Sequence, residues 1–232
     1  MNESTEKTIE KRNPLLVPGS IVLAGVLVAA ALLYDGGAVA PAANLAPDVT
    51  AGFSYVGLAS ELKLDTNTFA TCLNSRKYRD EVQKDLQAGQ AAGVEGTPGT
   101  FINGKFISGA VPYTVFKQAI DAALVSKTSA VGPGIDDDVV LGDPDAPVTI
   151  ITFGDYQCPY CEQLFQTGEQ DMRRDYVETG KAKMVYRDFL IPGHKAAIPA
   201  AEAAQCAGDQ GKYWPYHDQL FERQAELTNT FK

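Results

Sequence analysis

Two cysteines with two residues between them follow an apolar run: Val148 to Phe153 reads as a buried strand, and Cys158-Pro159-Tyr160-Cys161 opens the helix beyond it. A sulfur at a helix start lies beside unpaired backbone N–H groups and the positive end of the helix dipole, and both favour thiolate over thiol. Cys158 is therefore expected to attack. Pro159 suits the first helical turn, where its missing N–H costs nothing. Cys161, one turn further in, is near enough to close a disulfide yet less exposed, and is expected to resolve it. Tetrahedral zinc would need a second ligand pair at suitable spacing, which the chain does not offer, so neither a metal nor a cofactor is expected. Asp155 and Glu162 flank the cysteines and could relay a proton or tune the thiolate, although charges at the mouth of a site are usually just solvated. His194 and His217 fall on helical segments away from the motif, where core or capping roles are expected, and Tyr213, Trp214 and Tyr216 read as packing between helices.

The elements that must position this motif lie on both sides of it. Before it, Tyr55, Leu58, Ala59 and Leu62 fall at helical spacing; Phe69, Cys72 and Leu73 form a second stripe after Asp65-Thr66-Asn67; Tyr78, Val82 and Leu86 form a third, ended by Gly93. Thr100-Phe101-Ile102, Asn103-Gly104 and Lys105-Phe106-Ile107 then give a hairpin signal, and Pro112 opens a helix with Tyr113, Phe116, Ile120 and Leu124 on one face. A linker with Gly132-Pro133-Gly134 and three aspartates leads to a candidate strand at Val139 to Leu141 and the turn Gly142-Asp143-Pro144. After the motif, Phe165, Met172 and Tyr176 line a helix stopped by Gly180. Ala182 to Phe189 is a strand, and Lys195 to Leu227 returns to helix. No internal repeat is visible.

Composition and charge set the compartment. The chain has 232 residues, 45% of them hydrophobic, enough for a packed core, and a formal charge of −9, which argues against nucleic acid as a partner. Leu15 to Tyr34 carries no charge, and about 20 helical residues span roughly 30 Å of hydrocarbon. Lys7, Lys11 and Arg12 precede it and no Lys or Arg follows until Lys63, which places the N-terminus in the cytoplasm and the rest outside. The alternative is a cleaved signal peptide, with Ala38-Val39-Ala40 as its site, but Pro41 follows and the apolar stretch is long for such a leader. The four cysteines fit two disulfides in an oxidising compartment.

Phe153-Gly154-Asp155-Tyr156-Gln157-Cys158-Pro159-Tyr160-Cys161, Gly93-Val94-Glu95-Gly96-Thr97-Pro98 and Phe101-Ile102-Asn103-Gly104-Lys105 resemble the DsbA-type thiol:disulfide oxidoreductases of bacterial envelopes. The resemblance spans Phe53 to Lys232 with the order of its parts exchanged. It implies an α/β protein: a thioredoxin-like fold with an inserted helical domain, circularly permuted within that domain and preceded by one N-terminal transmembrane helix. The expected divisions are a cytoplasmic N-terminus (1–14), the transmembrane helix (15–34), a flexible tether (35–50), the second half of the helical domain (51–93), the strand–strand–helix half of the thioredoxin fold (94–124), a linker (125–138), the strand–helix–strand half (139–191) and the first half of the helical domain (192–232). About 14 linker residues at roughly 3.3 Å each reach far enough to close the fold within one chain, and a domain-swapped dimer would use the same contacts.

By the same resemblance Pro98 is the cis-proline facing the cysteines. The backbone of Thr97 is then free to pair with a substrate strand, with Pro159 and Tyr160 on the same binding surface. Cys72 and Cys206 lie on separate helical segments. Their types permit two buried thiols, but an oxidising compartment favours a structural disulfide. The expected function is that of a membrane-anchored extracytoplasmic enzyme that introduces disulfides into reduced, cysteine-containing exported proteins. The family implies reoxidation by a membrane thiol oxidase of the DsbB or vitamin-K-epoxide-reductase type. A reductase or isomerase on the same fold, or a non-enzymatic thioredoxin-fold binding protein, are the alternatives.

Overall fold

The computed structural model describes residues 52–126 and 132–232. The expected cytoplasmic segment, transmembrane helix and tether lie outside these residues, and among the described residues no helix is long and apolar enough to cross a membrane.

The first elements are helical. α1 (Tyr55–Glu61) starts where the Ser54 hydroxyl accepts from the Gly57 amide at 3.0 Å, and α2 (Thr66–Asn74) where the Asp65 carboxylate accepts from the Thr68 amide at 2.7 Å. Each cap satisfies one of the donors a helix start leaves free. α3 (Arg79–Ala91) follows, then β1 (Gly99–Ile102) and β2 (Lys105–Ser108). Asn103 (φ 43°) and Gly104 (φ 86°) both take the left-handed conformation that a two-residue hairpin turn requires, which is why this dipeptide makes the turn. α4 (Tyr113–Ser126) buries Phe116, Ala119 and Ile120.

β3 (Val148–Gly154) and β4 (Ala182–Asp188) complete a sheet of order β2-β1-β3-β4, with β3 parallel to β4 and antiparallel to β1. The hairpin thus precedes in the chain the strand it pairs with. Alternation along the strands divides the core. Ile150 and Met184 join the larger cluster with α1, α2, α4 and the later helices, whereas Ile151, Phe153 and Val185 pack with Phe101, Val94 and Phe189 on the opposite face. α3 covers that second face closely: a Cβ at Gly89 would stand 2.6 Å from the Phe189 ring.

Under α3 lies a buried charge cluster that the apolar stripe of the sequence did not announce. Arg187 Nε is 2.6 Å from Asp138 Oδ2 and 3.4 Å from Asp85 Oδ1, and the Asp188 amide donates to Asp85 Oδ2 at 3.1 Å. Burial, reinforced by the charge of Asp138, pushes the Asp85 carboxyl up to about 8, even with Arg187 alongside. Lys84 reaches Asp136 and Asp137 at 2.7 and 2.9 Å, so the end of the linker is tied to α3. The strand expected at Val139 to Leu141 reduces to a single bridge between Leu141 and Met184. The Trp214 indole donates to the Val139 carbonyl at 3.1 Å, which takes that group out of any ladder.

α5 (Pro159–Leu164) continues through two π-helical segments, Phe165–Glu169 and Arg173–Val177, with Gln170–Met172 between them. The wider turns rotate Glu169 and Arg173 inward beside the expected Phe165, Met172 and Tyr176. There Arg173 pairs with Glu169 at 2.5 Å and with Asp218 at 2.8 Å. His217 Nε2 meets Glu169 at 3.2 Å, and His217 Nδ1 is hydrogen-bonded to the Tyr156 hydroxyl at 3.0 Å. His217 has the core position expected of it, and Tyr213, Trp214 and Tyr216 are buried between helices.

α6 (Ala197–Gly208), α7 (Tyr213–Glu222) and α8 (Gln224–Thr230) close the chain. Cys206 of α6 and Cys72 of α2 form a disulfide with Sγ–Sγ 2.00 Å. The start and end of the described residues meet: the Phe53 amide donates to Thr230 Oγ1 at 2.8 Å, and the Tyr55 and Phe231 rings are 5.7 Å apart.

Candidate active site

The two cysteines occupy the junction of β3 and α5, where the strand ends at Gly154 and Cys158 holds the N-cap position. A Cβ at Gly154 would lie 2.5 Å from the Tyr186 hydroxyl, so only glycine lets the strand end this close to β4. Both cysteines are free thiols, 5% and 4% exposed. Pro159 at the first turn of α5 is exposed, as is Tyr160, 62% accessible beside the sulfur.

The loop from β3 to α5 is held from three directions. The Cys158 amide donates to the Asp155 carbonyl at 3.0 Å. The Gln224 side-chain amide of α8 donates to the carbonyls of Tyr156 at 2.9 Å and Cys158 at 3.0 Å. The Gln157 side-chain carbonyl accepts from the Ala196 amide at 2.8 Å. Gln224 stands 66 residues from Cys158 in the chain, and no local pattern marks it.

The proline loop meets these sulfurs within one chain. Thr97-Pro98 is cis, and Cys158 Sγ lies 3.6 Å from the Thr97 carbonyl oxygen. The Gly109 amide donates to the Pro98 carbonyl at 2.8 Å, which fixes the loop to the end of β2. Thr97 and Cys158, 61 residues apart in the sequence, are thus brought together.

The environment separates the two thiols. Cys158 is pulled down to about 5, first by the hydrogen bond from Cys161 and further by donors at Thr97 and the backbone of Cys161 and Tyr160, against a penalty for burial. Burial drives Cys161 the other way, well above the ordinary thiol range, with the neighbouring Cys158 adding to it. At neutral pH one sulfur is a thiolate and the other a thiol, the division of labour expected for attack and resolution.

The flanking acids fare differently from each other. Glu162 is half-buried on α5 and its carboxylate accepts from the Gln166 side chain at 3.2 Å. Asp155, for which a proton relay and plain solvation were both open, is 1% exposed. Its Oδ1 accepts from the Gln157 amide at 2.7 Å, and its Oδ2 accepts from the Ile191 amide at 2.9 Å and lies 2.8 Å from His194 Nδ1. The backbone amide of Asp155 donates to Cys161 Sγ at 3.5 Å. The expectation that His194 sits away from the motif is therefore corrected. The 189–196 segment after β4 folds back over the loop, a long-range turn that helical periodicity cannot signal.

Comparisons with known proteins agree with this geometry. A model of the DSBA-like thioredoxin domain matches residues 48–121, and a thioredoxin model matches residues 135–231. Disulfide bond formation protein D of Bacillus subtilis is 30% identical over 95 residues, 40% of this chain and 43% of that protein. Na(+)/H(+) antiporter NhaA 1 of Salinispora arenicola is 42% identical over 93 residues, 40% of this chain and 14% of that protein. The oxidised BdbD structure from Bacillus subtilis is 26% identical, with a TM-score of 0.34 over 41% of this chain and 59% of that one. The chain spans less than half the length of the curated relatives it matches. With a cysteine pair at a strand-to-helix junction facing a cis-proline loop, and with a DSBA-like and a thioredoxin model matching successive parts of it, the chain resembles the DsbA-type thioredoxin-fold proteins.

Proposed function

We propose that this protein is a thiol:disulfide oxidoreductase that introduces disulfides into exported proteins through Cys158 and Cys161. The observation that carries this reading is the opposition of the two thiols: Cys158 held near 5, Cys161 driven up. A thiolate stabilised in the reduced enzyme favours reduction of its own disulfide, and so oxidation of the substrate. From the oxidised form, a substrate thiolate attacks Cys158, the Cys158–Cys161 bond breaks, and its electron pair leaves on Cys161. A second substrate thiolate attacks the substrate sulfur of the mixed disulfide and expels Cys158 as thiolate. The substrate loses two electrons and the enzyme gains them, with Cys161 taking up one of the two protons released. The exposed Tyr160 and the Thr97-Pro98 backbone border the sulfur that a substrate strand must approach.

Three further features belong to the proposal. The domain is a circular permutant cut in its helical part, supported by the chain order of the two family matches and by the contact of Phe53 with Thr230. Leu15 to Tyr34 anchors it in the cell membrane with the catalytic domain outside, a reading that rests on length and flanking charge. A membrane thiol oxidase of the DsbB or vitamin-K-epoxide-reductase type returns it to the disulfide form, as befits an enzyme that is reduced in each turnover. The test is the reduction potential against glutathione together with oxidation of a reduced model protein. A value near the DsbA figure of about −120 mV with net oxidation is expected, and one near the thioredoxin figure of about −270 mV would reassign the protein as a reductase.

A further inference from the structure

Asp155 touches the resolving sulfur through its backbone while its side chain is held by a histidine that has no other place in the mechanism. The amide of Asp155 points at Cys161 Sγ from 3.5 Å. The carboxylate on the same residue is buried, and three N–H groups take up its charge: the Gln157 and Ile191 amides and the ring of His194. That arrangement ties the carboxylate to Gln157, Ile191 and His194 and leaves the backbone N–H dipole facing the sulfur. Of the contacts to the Cys161 sulfur, the Asp155 amide is among those that ease its ionisation, against burial and the neighbouring Cys158.

We propose that the Asp155 amide is a donor for the thiolate that leaves on Cys161 when the active-site disulfide opens, and that the Asp155 carboxylate and His194 are its positioning residues. This rests on the exchange reaction proposed above. When a substrate thiolate bonds to Cys158 Sγ, the electron pair of the broken S–S bond goes to Cys161, a buried atom for which water is a poor source of stabilisation. A fixed N–H dipole aimed at the developing charge stabilises it without reorganisation, as donors do for oxyanions. His194 fixes the dipole at one remove. Its ring is about one-quarter exposed (26%), so it can be replaced without opening the core.

The test uses the full chain, oxidised, with glutathione as the thiol. His194→Ala and Asp155→Ala are expected to slow reduction of the Cys158–Cys161 disulfide about tenfold, in line with loss of one charge-directed hydrogen bond, while the glutathione equilibrium, in which reduced Cys161 is a thiol, moves little. His194→Gln, which keeps a donor for Asp155 Oδ2, should retain most of the rate. The Cys158 thiolate titration, which reports the other sulfur, should stay in place in all three. Asp155→Ala removes three hydrogen bonds; if it does not fold, the His194→Ala and His194→Gln pair decides. Folded variants with a wild-type rate, or a Gln variant as slow as the Ala variant, would overturn the positioning role. A wild-type protein inert to glutathione would instead sink the exchange reading on which it stands.

Discussion

The molecule holds two cysteine pairs of similar burial that are kept in opposite states by different physics. Cys72 and Cys206 are 134 residues apart in sequence, and closing so long a loop removes about 5 kcal/mol of chain entropy from the unfolded state, an upper figure because residual structure lowers it. Cys158 and Cys161 close a loop of four residues, for which the same relation gives only about 2 kcal/mol. The first pair is therefore biased toward the disulfide by the chain itself. The second is poised, and its balance is set by the donors around the sulfurs. The amides of Cys161 and Tyr160 and the side chain of Thr97 address Cys158, and the amide of Asp155 addresses Cys161. A staple needs distance along the chain; a redox site needs polar groups near the sulfurs.

The largest effect should come from Cys158→Ala. Oxidation of a reduced model protein is expected to vanish while the fold survives, because the replaced thiol contributes little loop entropy. Activity that persists would place the nucleophile elsewhere. Replacing Cys72 and Cys206 together by alanine should do the reverse. Exchange by the folded protein should persist, with unfolding shifted to lower denaturant by about 2 to 5 kcal/mol. A denaturation midpoint that does not move would remove the contrast between the pairs.

How far the contrast could be read in advance differs between its halves. The Cys158–Cys161 pair, the Asn103-Gly104 hairpin and the helical stripes were legible because each is a local pattern; the Cys72–Cys206 bridge was favoured over two buried thiols only through the expected oxidising compartment, and Thr97-Pro98 was legible through the family resemblance. The supports of the active pair were not. Gln224 and His194 reach the loop only through tertiary folding, and a relay and a solvated role stayed open for Asp155 because a single acid before a cysteine carries no sign of the segment that covers it. Glu169 and Arg173 entered the core through π-helical turns, which shift the face that a regular helical period assigns. Asp85 was hidden within an apolar stripe and appears only beside Arg187 from β4.

A finer cut of the contrast is Cys161→Ala. Because the first cause of the low Cys158 value is the hydrogen bond from Cys161, its loss should raise the thiolate transition from about 5 toward the ordinary thiol range near 8.5. Ultraviolet absorbance of the thiolate against pH measures this directly. A transition that stays near 5 would move the credit to the backbone donors, and to Thr97.

The smallest effect, and the most specific, is in stability against pH. Cys158 is an acid whose folded value, about 5, lies below its unfolded value near 8.5, so in the reduced protein it stabilises the fold fully above about 8.5 and that contribution is lost as pH falls through 5. Cys161, driven upward, lowers the stability of the reduced form only above about 8.5, where an unfolded thiol would ionise and the buried one resists. The oxidised protein has neither term. Asp85, raised to about 8, titrates across the same range with the opposite slope, but it does so in both redox forms and cancels in their difference, as does the Cys72–Cys206 bridge. Paired denaturation curves of reduced and oxidised protein should show the reduced form gaining on the oxidised from pH 5 upward, with the gain ending near 8.5 and turning down above it as Cys161 takes effect. A gap independent of pH would mean that the donors around Cys158 stabilise thiol and thiolate alike, and the two cysteine pairs would then differ in loop length alone.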